Sequence, residues 1–171
     1  MENFLQEKKE PRGINKVLIG ALLIAAALVA GAVWLLTFVP TAEDQTRQLM
    51  AGAVYEGSPE FDGYTKNIII TTDLDRTSEG RLGLGTIQMA IHGEILNRGN
   101  KTINLLELNV GVVDVKNQVV KEKKILVIPT RQTETLQPNE TMKVFAALDG
   151  FTDKDDRANV RWKVTAIRFG K

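Results

Sequence analysis

The chain is 171 residues long, 43% hydrophobic and 25% charged, with a formal net charge of +1 and no cysteine. The lack of cysteine excludes disulfides, thiolate chemistry, cysteine-held metal and a lipid anchor on cysteine, and the balanced charge offers no field to attract nucleic acid. With an apolar N-terminal stretch set aside, about 130 residues remain, the usual size of one domain.

Residues 1–16 form a polar N-terminal segment with Lys8, Lys9, Arg12 and Lys16. Residues 17–39 carry no charge, and Thr37 is their only polar side chain. At about 1.5 Å per residue, a helix of that length is roughly 35 Å long and crosses a hydrocarbon core of about 30 Å with some tilt. Between residues 40 and 60 only Arg47 is basic, beside Glu43, Asp44, Glu56 and Glu60. Positive residues stay on the cytoplasmic side. The expectation is a single-pass membrane anchor, with a cytoplasmic N-terminus and residues 40–171 extracytoplasmic. Trp34 and Phe38 sit near the outer end, as interfacial aromatics do, and Pro40 ends the helix. The rival reading is a signal peptide cleaved at Ala30-Gly31-Ala32. Against it, the apolar run continues past Ala32 and is longer than a usual signal core. Small residues recur at a spacing of four in Ala21/Ala25, Ala26/Ala30 and Ala27/Gly31. Such a face lets helix backbones approach in lipid, with a second copy or with a partner.

Residues 40–66 read as a juxtamembrane helix and linker. "TAEDQTRQLMAGAV" suits a short helix over 41–54, with Thr41 as cap, Glu43 and Asp44 in the first turn, and Leu49, Met50 and Ala53 on a modest apolar face. "YEGSPEFDGYTK" reads as a spacer, with Gly57, Pro59 and Gly63 as breakers and with Tyr55, Phe61 and Tyr64 leaning on the domain or on lipid headgroups.

From Asn67 the pattern is one of strands and turns. "NIIITTDL" is β-branched. "TIQMAIHGEI" alternates, with Ile87, Met89, Ile91 and Ile95 on one face and Gln88, His92 and Glu94 on the other. "NRGNK" turns the chain into "INLLELNVGVVDV", with Leu106, Leu108, Val110 and Val112 on one face. "KNQ" (Lys116 to Gln118) leads to "VVKEKKILVIP", which Pro129 closes. In the turn "LQPNE", Pro138 has the φ for the second position and Asn139 tolerates the left-handed third. "TMKVFAAL" alternates through Met142, Val144 and Ala146. After the polar loop "DGFTDKDDRAN", "VRWKVTAIRF" points Val160, Trp162, Val164 and Ala166 inward, which makes Trp162 a core residue. Six or more strands without a crossover helix predict an all-β fold over residues 67–171. The economical closure is an antiparallel β-sandwich of immunoglobulin type behind the N-terminal transmembrane helix.

The stretch "HGEILNRGNKTINLLELNVGVVDVKNQVV" resembles the bacterial FxLYD-type domains and related membrane-anchored domains of unknown function, found for example in acidobacteria. The matching residues are Gly93, Asn97, Gly99, Asp114, Leu136, Pro138 and Glu140, over about residues 84–169. Val113 stands where an aromatic is common, and Asn117 and Asn139 stand where glycine is common. Asparagine is the residue that most easily replaces glycine at positive φ. These motifs are turn grammar, so the resemblance implies a fold and an anchor-first layout rather than an activity. Plant-type water-stress domains share that grammar more weakly.

Candidate chemistry is sparse. His92 is the only histidine, beside Glu94, and a general base or ligand needs companions. Neither Ser58 nor Ser78 lies in a nucleophile elbow. "GRLGLG" over 80–85 precedes a strand and reads as a turn or bulge. Two acidic loops are the metal candidates, one with Asp73 and Asp75, the other with Asp149, Asp153, Asp155 and Asp156. Lys154 and Arg157 interrupt the second, and the calcium-loop spacing is missing. "VKEKK" (Val120 to Lys124) guards a strand edge or meets an acidic partner. Asn100-Lys-Thr102 and Asn139-Glu-Thr141 match the glycosylation pattern, which matters only in a eukaryotic secretory pathway. The expectation is therefore a non-catalytic binding or assembly module with no cofactor and no metal residue. Its partners would be the bilayer and another membrane or envelope protein, or a second copy through the helix, and a subunit role in a membrane complex fits too. The contact loop would comprise Asp149, Asp153, Lys154, Asp155, Asp156 and Arg157. A calcium- or sugar-binding sensor, or a hydrolase on the same sandwich, is the alternative.

Overall fold

The computed structural model describes residues 16–38, 42–83, 85–130 and 132–170. The expected roles of Lys8, Lys9, Arg12, Val39, Pro40 and Thr41, and of the Phe38 and Glu43 side chains, lie outside what is described. The chain divides into two compact units, Met1–Gln48 and Leu49–Lys171.

In the first unit, helix α1 spans Lys16–Phe38. Its Lys16–Thr37 stretch is long and apolar enough to cross a membrane, and none of it is buried. The hydroxyl of Thr37 donates to the Val33 carbonyl at 2.7 Å, so the one hydroxyl of the span is satisfied within its own helix. Helix α2, Ala42–Leu49, stops earlier than the expected 41–54. Gly52 takes φ +74°, the Ala53 amide donates to the Met50 carbonyl, and the chain turns into strand β1.

The second unit is a two-layer antiparallel sandwich. Strands β1 (Val54–Tyr55), β7 (Asn159–Phe169), β4 (Ile103–Val113) and β5 (Val119–Ile128) form one sheet in that order. Strands β2 (Ile68–Arg81), β3 (Ile87–Asn97) and β6 (Thr141–Phe151) form the other. Alternation sets the inner faces as the sequence predicts. Ile91, Ile95, Leu106, Leu108, Val110 and Val112 are fully buried, as is Phe151. Each such side chain contributes about 1.5–3 kcal/mol on leaving water. Two core clusters result, one at each end of the sandwich. Ile125 and Trp162 pack against both and join them. Trp162 is only half-buried, because its indole N–H reaches the Thr72 hydroxyl on the opposite sheet at 2.9 Å.

Three expectations are corrected. The spacer over residues 55–66 is part of the domain: helix α3, Pro59–Thr65, lies there, and its Phe61 and Tyr64 are buried in the core. Ser58 caps it, accepting from the Phe61 amide at 3.3 Å. Its two aromatics sit three residues apart, on one helical face, a signal the breakers hide. The acidic loop around Asp73 and Asp75 is a bulge within β2, where the pairing with β3 slips between Asp73 and Ser78. Finally, Ala166 is fully buried as expected, yet it does not continue the row of Trp162 and Val164. Val164 pairs with Leu108 but Ala166 pairs with Glu107, so the extra residue at Thr165 flips the phase. Ile167, opposite Leu106, enters the core instead.

Candidate functional site

Of the residues that carry the resemblance, Gly99, Leu136, Pro138 and Glu140 gather around Asn97 at one end of the sandwich, whereas Gly93 lies within β3 and Asp114 in the β4–β5 turn at the other end. Asn97 is fully buried. Its Oδ1 accepts from the Tyr64 hydroxyl and the Gly99 amide, both at 3.0 Å. Its Nδ2 donates to the carbonyls of Lys101, Leu136 and Gln137 at 2.9, 3.3 and 3.2 Å. Its own carbonyl accepts from Asn139 at 2.7 Å. One amide thus ties α3, the β3–β4 turn and the β5–β6 connection together. Asn139 sits at φ +60° and Asn117 at +66°, the left-handed conformations in which asparagine replaces glycine. The Glu140 carboxylate accepts from the Gln137 amide at 2.7 Å and closes the turn around Pro138. Asp114 does the same for the β4–β5 turn, accepting from Lys116 and Gln118. Gly99 lies so close to Tyr64 that a Cβ there would stand 2.2 Å from the hydroxyl. A Cβ on Gly93 would meet the Thr71 carbonyl at 2.8 Å. Both ends of the buried Asn97 amide are spent on the chain's own groups, so its role is structural.

The opposite end gathers three connections: the β2–β3 turn, the β4–β5 turn and the loop that follows Phe151. The predicted contact loop lies here, and the structure braces it by neighbouring elements. Arg157 makes a two-pronged bond to Glu79 at 2.9 and 3.0 Å and donates to the Thr152 and Asp155 carbonyls. Its side chain is only 15% exposed, with the guanidinium 5.9 Å from the centre of the Phe151 ring. Hydrogen bonding to Glu79 raises its pKa further. Asp153 pairs with Arg81 at 2.6 Å, Asp156 accepts from the Val115 amide at 3.0 Å, and Asp149 accepts from Gln88. Asp155 turns back on its own loop and accepts from the Thr152 amide at 2.6 Å. That bond, before the Lys121 and Arg157 charges, holds its carboxyl below the ordinary carboxylate value. Lys154 is exposed at the tip. A notch of about 260 Å³ lies between Glu79, Arg81, Ile87, Asp153 and Arg157. Val115 and Leu82 are exposed at the same end, at 77% and 40%. Among the described residues no group of three or more His, Asp or Glu is placed to hold a metal ion.

The remaining candidates are scattered. His92 lies mid-strand on the outer face of its sheet, opposite Asp73 on one side and Phe145 on the other, with the Phe145 ring 4.9 Å away. Ser58 is the α3 cap and Ser78 follows the β2 bulge. Ala21, Ala25, Ala26, Ala27, Ala30 and Gly31 are all exposed along α1. The Val120–Lys124 stripe occupies the outer edge of its sheet, as a guarded edge should, and Lys123 donates across to the Ala147 carbonyl of β6 at 3.2 Å. Sequence reasoning missed Asn97 as a buried hub, and Glu79 and Arg81 as braces. Only the motif position of Asn97 signalled anything.

No protein-family model matches this chain, and no curated protein does. Among solved structures it is similar to a DUF1425 family member from Shewanella sp. pv-4, at 13% identity over 57% of this chain and 75% of that one, with a TM-score of 0.31. It is also similar to the trimeric lipoprotein SadB of Salmonella enterica, at 12% identity over 91% of this chain and 83% of that one, with a TM-score of 0.35.

Proposed function

We infer that this protein is a membrane-tethered, non-catalytic binding and assembly module. Helix α1 anchors it once in a bacterial inner membrane with the N-terminus inside. The sandwich stands in the periplasm and docks on another membrane or envelope protein. The observation that carries this reading is α1 itself: a 23-residue helix uncharged after Lys16, with none of its span buried and its single hydroxyl satisfied internally. In water such a surface is costly; in lipid it is stable. Confinement then supplies the mechanism. Partners held on one bilayer meet at high effective concentration, so a modest contact suffices without large affinity. The braced end around Asp149–Arg157 is suited to that contact, because ordering it on binding costs little further entropy. The shared turn grammar supports an FxLYD-type domain behind such an anchor.

A periplasm-active reporter fused after Lys171, paired with a cytosol-active one at the same point, tests the topology. The expected result is activity of the first only, with the chain retained in membranes after alkaline extraction. A cytosolic signal overturns the reading, as does a mature chain that begins after Ala32 and washes free.

A further inference from the structure

We propose that the open edge of β7 between Asn159 and Thr165, with the groove beside it, receives an extended strand of a partner protein whose side chains alternate apolar and acidic. This rests on the binding-module reading above and gives it a surface and a partner chemistry.

The edge is open because β1 is short. Its two residues, Val54 and Tyr55, pair with Ile167 and Ala166. The chain then leaves the sheet through Gly57 at φ +92° and the Ser58 cap of α3. From Asn159 to Thr165, β7 has β4 on one side and, among the described residues, no strand on the other. The Val160 amide donates to the Asn159 side chain at 2.8 Å, and an extended backbone about 4.8 Å away would pair with the outward amides and carbonyls further along the edge.

The side chains along this edge define the occupant. On the inner side, Trp162 and Val164 border a groove of about 470 Å³ that Phe61, Ile68 and Ile70 line as its apolar part and Glu56, Asp62, Thr65 and Lys163 as its polar part. Apolar side chains of an added strand would fall there. On the outer side, Arg161 and Lys163 are exposed, and acidic side chains at alternate positions would face them. Lys163 already holds one carboxylate, that of Glu56 at 2.7 Å, in this manner. The same two cations argue against a second copy. An antiparallel pairing of β7 with itself, centred on Trp162, sets Arg161 of one chain opposite Lys163 of the other. The other edges of the two sheets are less regular or partly bridged. Lys123 bridges the seam between β5 and β6, and β2 is interrupted by its bulge.

The test uses the full chain in detergent micelles and, as probe, a short capped peptide alternating valine and glutamate. Amide hydrogen exchange along β7 is expected to slow about tenfold or more at residues 160–165 when the peptide saturates. A central proline in the peptide should abolish this, since it removes a ladder donor. The charge-reversed double variant Arg161→Glu, Lys163→Glu should bind the glutamate peptide about tenfold more weakly and accept a valine–lysine peptide instead. Its melting temperature serves as the folding control. Protection elsewhere, no protection, or equal binding of the lysine peptide by the native chain overturns the proposal. Photocrosslinkers placed at Lys163 and at Val115 in native membranes separate the two levels of inference. Partner crosslinks from Val115 but not Lys163 overturn the edge site and leave the module standing. Crosslinks from neither position overturn both.

Discussion

Truncating Asn97 to alanine removes one buried amide and tests what holds the sandwich closed at its α3 end. The magnitude follows from which partners keep a second bond. The Lys101 carbonyl retains the Tyr64 hydroxyl, Leu136 retains the Ile103 amide, and Gln137 retains the Glu140 amide. Gly99 loses the acceptor of its amide. One stranded donor costs about 1–3 kcal/mol, and each further bond lost contributes about 0.5–1.5 kcal/mol. A total near 3 kcal/mol is expected, a large share of the 5–15 kcal/mol a domain possesses, and a fall in melting temperature on the order of 10 °C. Asn97→Asp should be worse at neutral pH, because it turns a carboxylate oxygen toward three carbonyls. Folding then favours the protonated acid and raises its pKa. The added deficit is therefore absent below the unfolded value of about 3.9 and grows as pH climbs through it toward the folded value. Thermal melting of the full chain in detergent, followed by Trp162 fluorescence between pH 4 and 7, reads both effects. A change in stability below about 0.5 kcal/mol for Asn97→Ala refutes the reasoning. So does an aspartate variant whose stability ignores pH.

Two further outcomes check other parts of the structure. Gly99→Ala should cost about 2–4 kcal/mol by driving the methyl into the buried Tyr64 ring. Gly83→Ala, which meets nothing within 4 Å, should be close to neutral. The cost of Gly99→Ala should largely vanish in a Tyr64→Ala background, so additive losses in a double-mutant cycle would contradict the contact. At the braced end, Asp155 has a depressed pKa, so its hold on Thr152 is present above the unfolded value and is lost as pH falls through the folded one. Amide exchange in residues 150–158 should accelerate in acid for the native chain and much less for Asp155→Asn; an equal response in both would refute the assignment.

Local periodicity was enough for most of the sandwich. Each inward residue predicted in β3 and β6 is at least partly buried, and both left-handed asparagines stand where turn chemistry places them. Errors arose where a distant contact overrides a local signal. Gly57, Pro59 and Gly63 mark breaks, yet Phe61 and Tyr64 bury the helix between them because Asn97 and the β3–β4 turn stand ready to receive it. The bulge at Thr165 leaves no trace in "KVTAIRF", which alternates as well with one phase as with the other.

The loop proposed for partner contact was legible as a cluster of charges but not as a braced structure. Glu79 and Arg81 stand more than seventy residues before the residues they hold. Composition and spacing alone determined the long apolar helix, the strand order along the chain and the turns, since each depends on neighbours within a few residues. Tertiary structure alone decided which edge of β7 stays open, which acids are neutralised and which asparagine is buried. Those outcomes depend on pairings between segments far apart in the chain, whose partners only the closed sandwich brings within hydrogen-bonding distance.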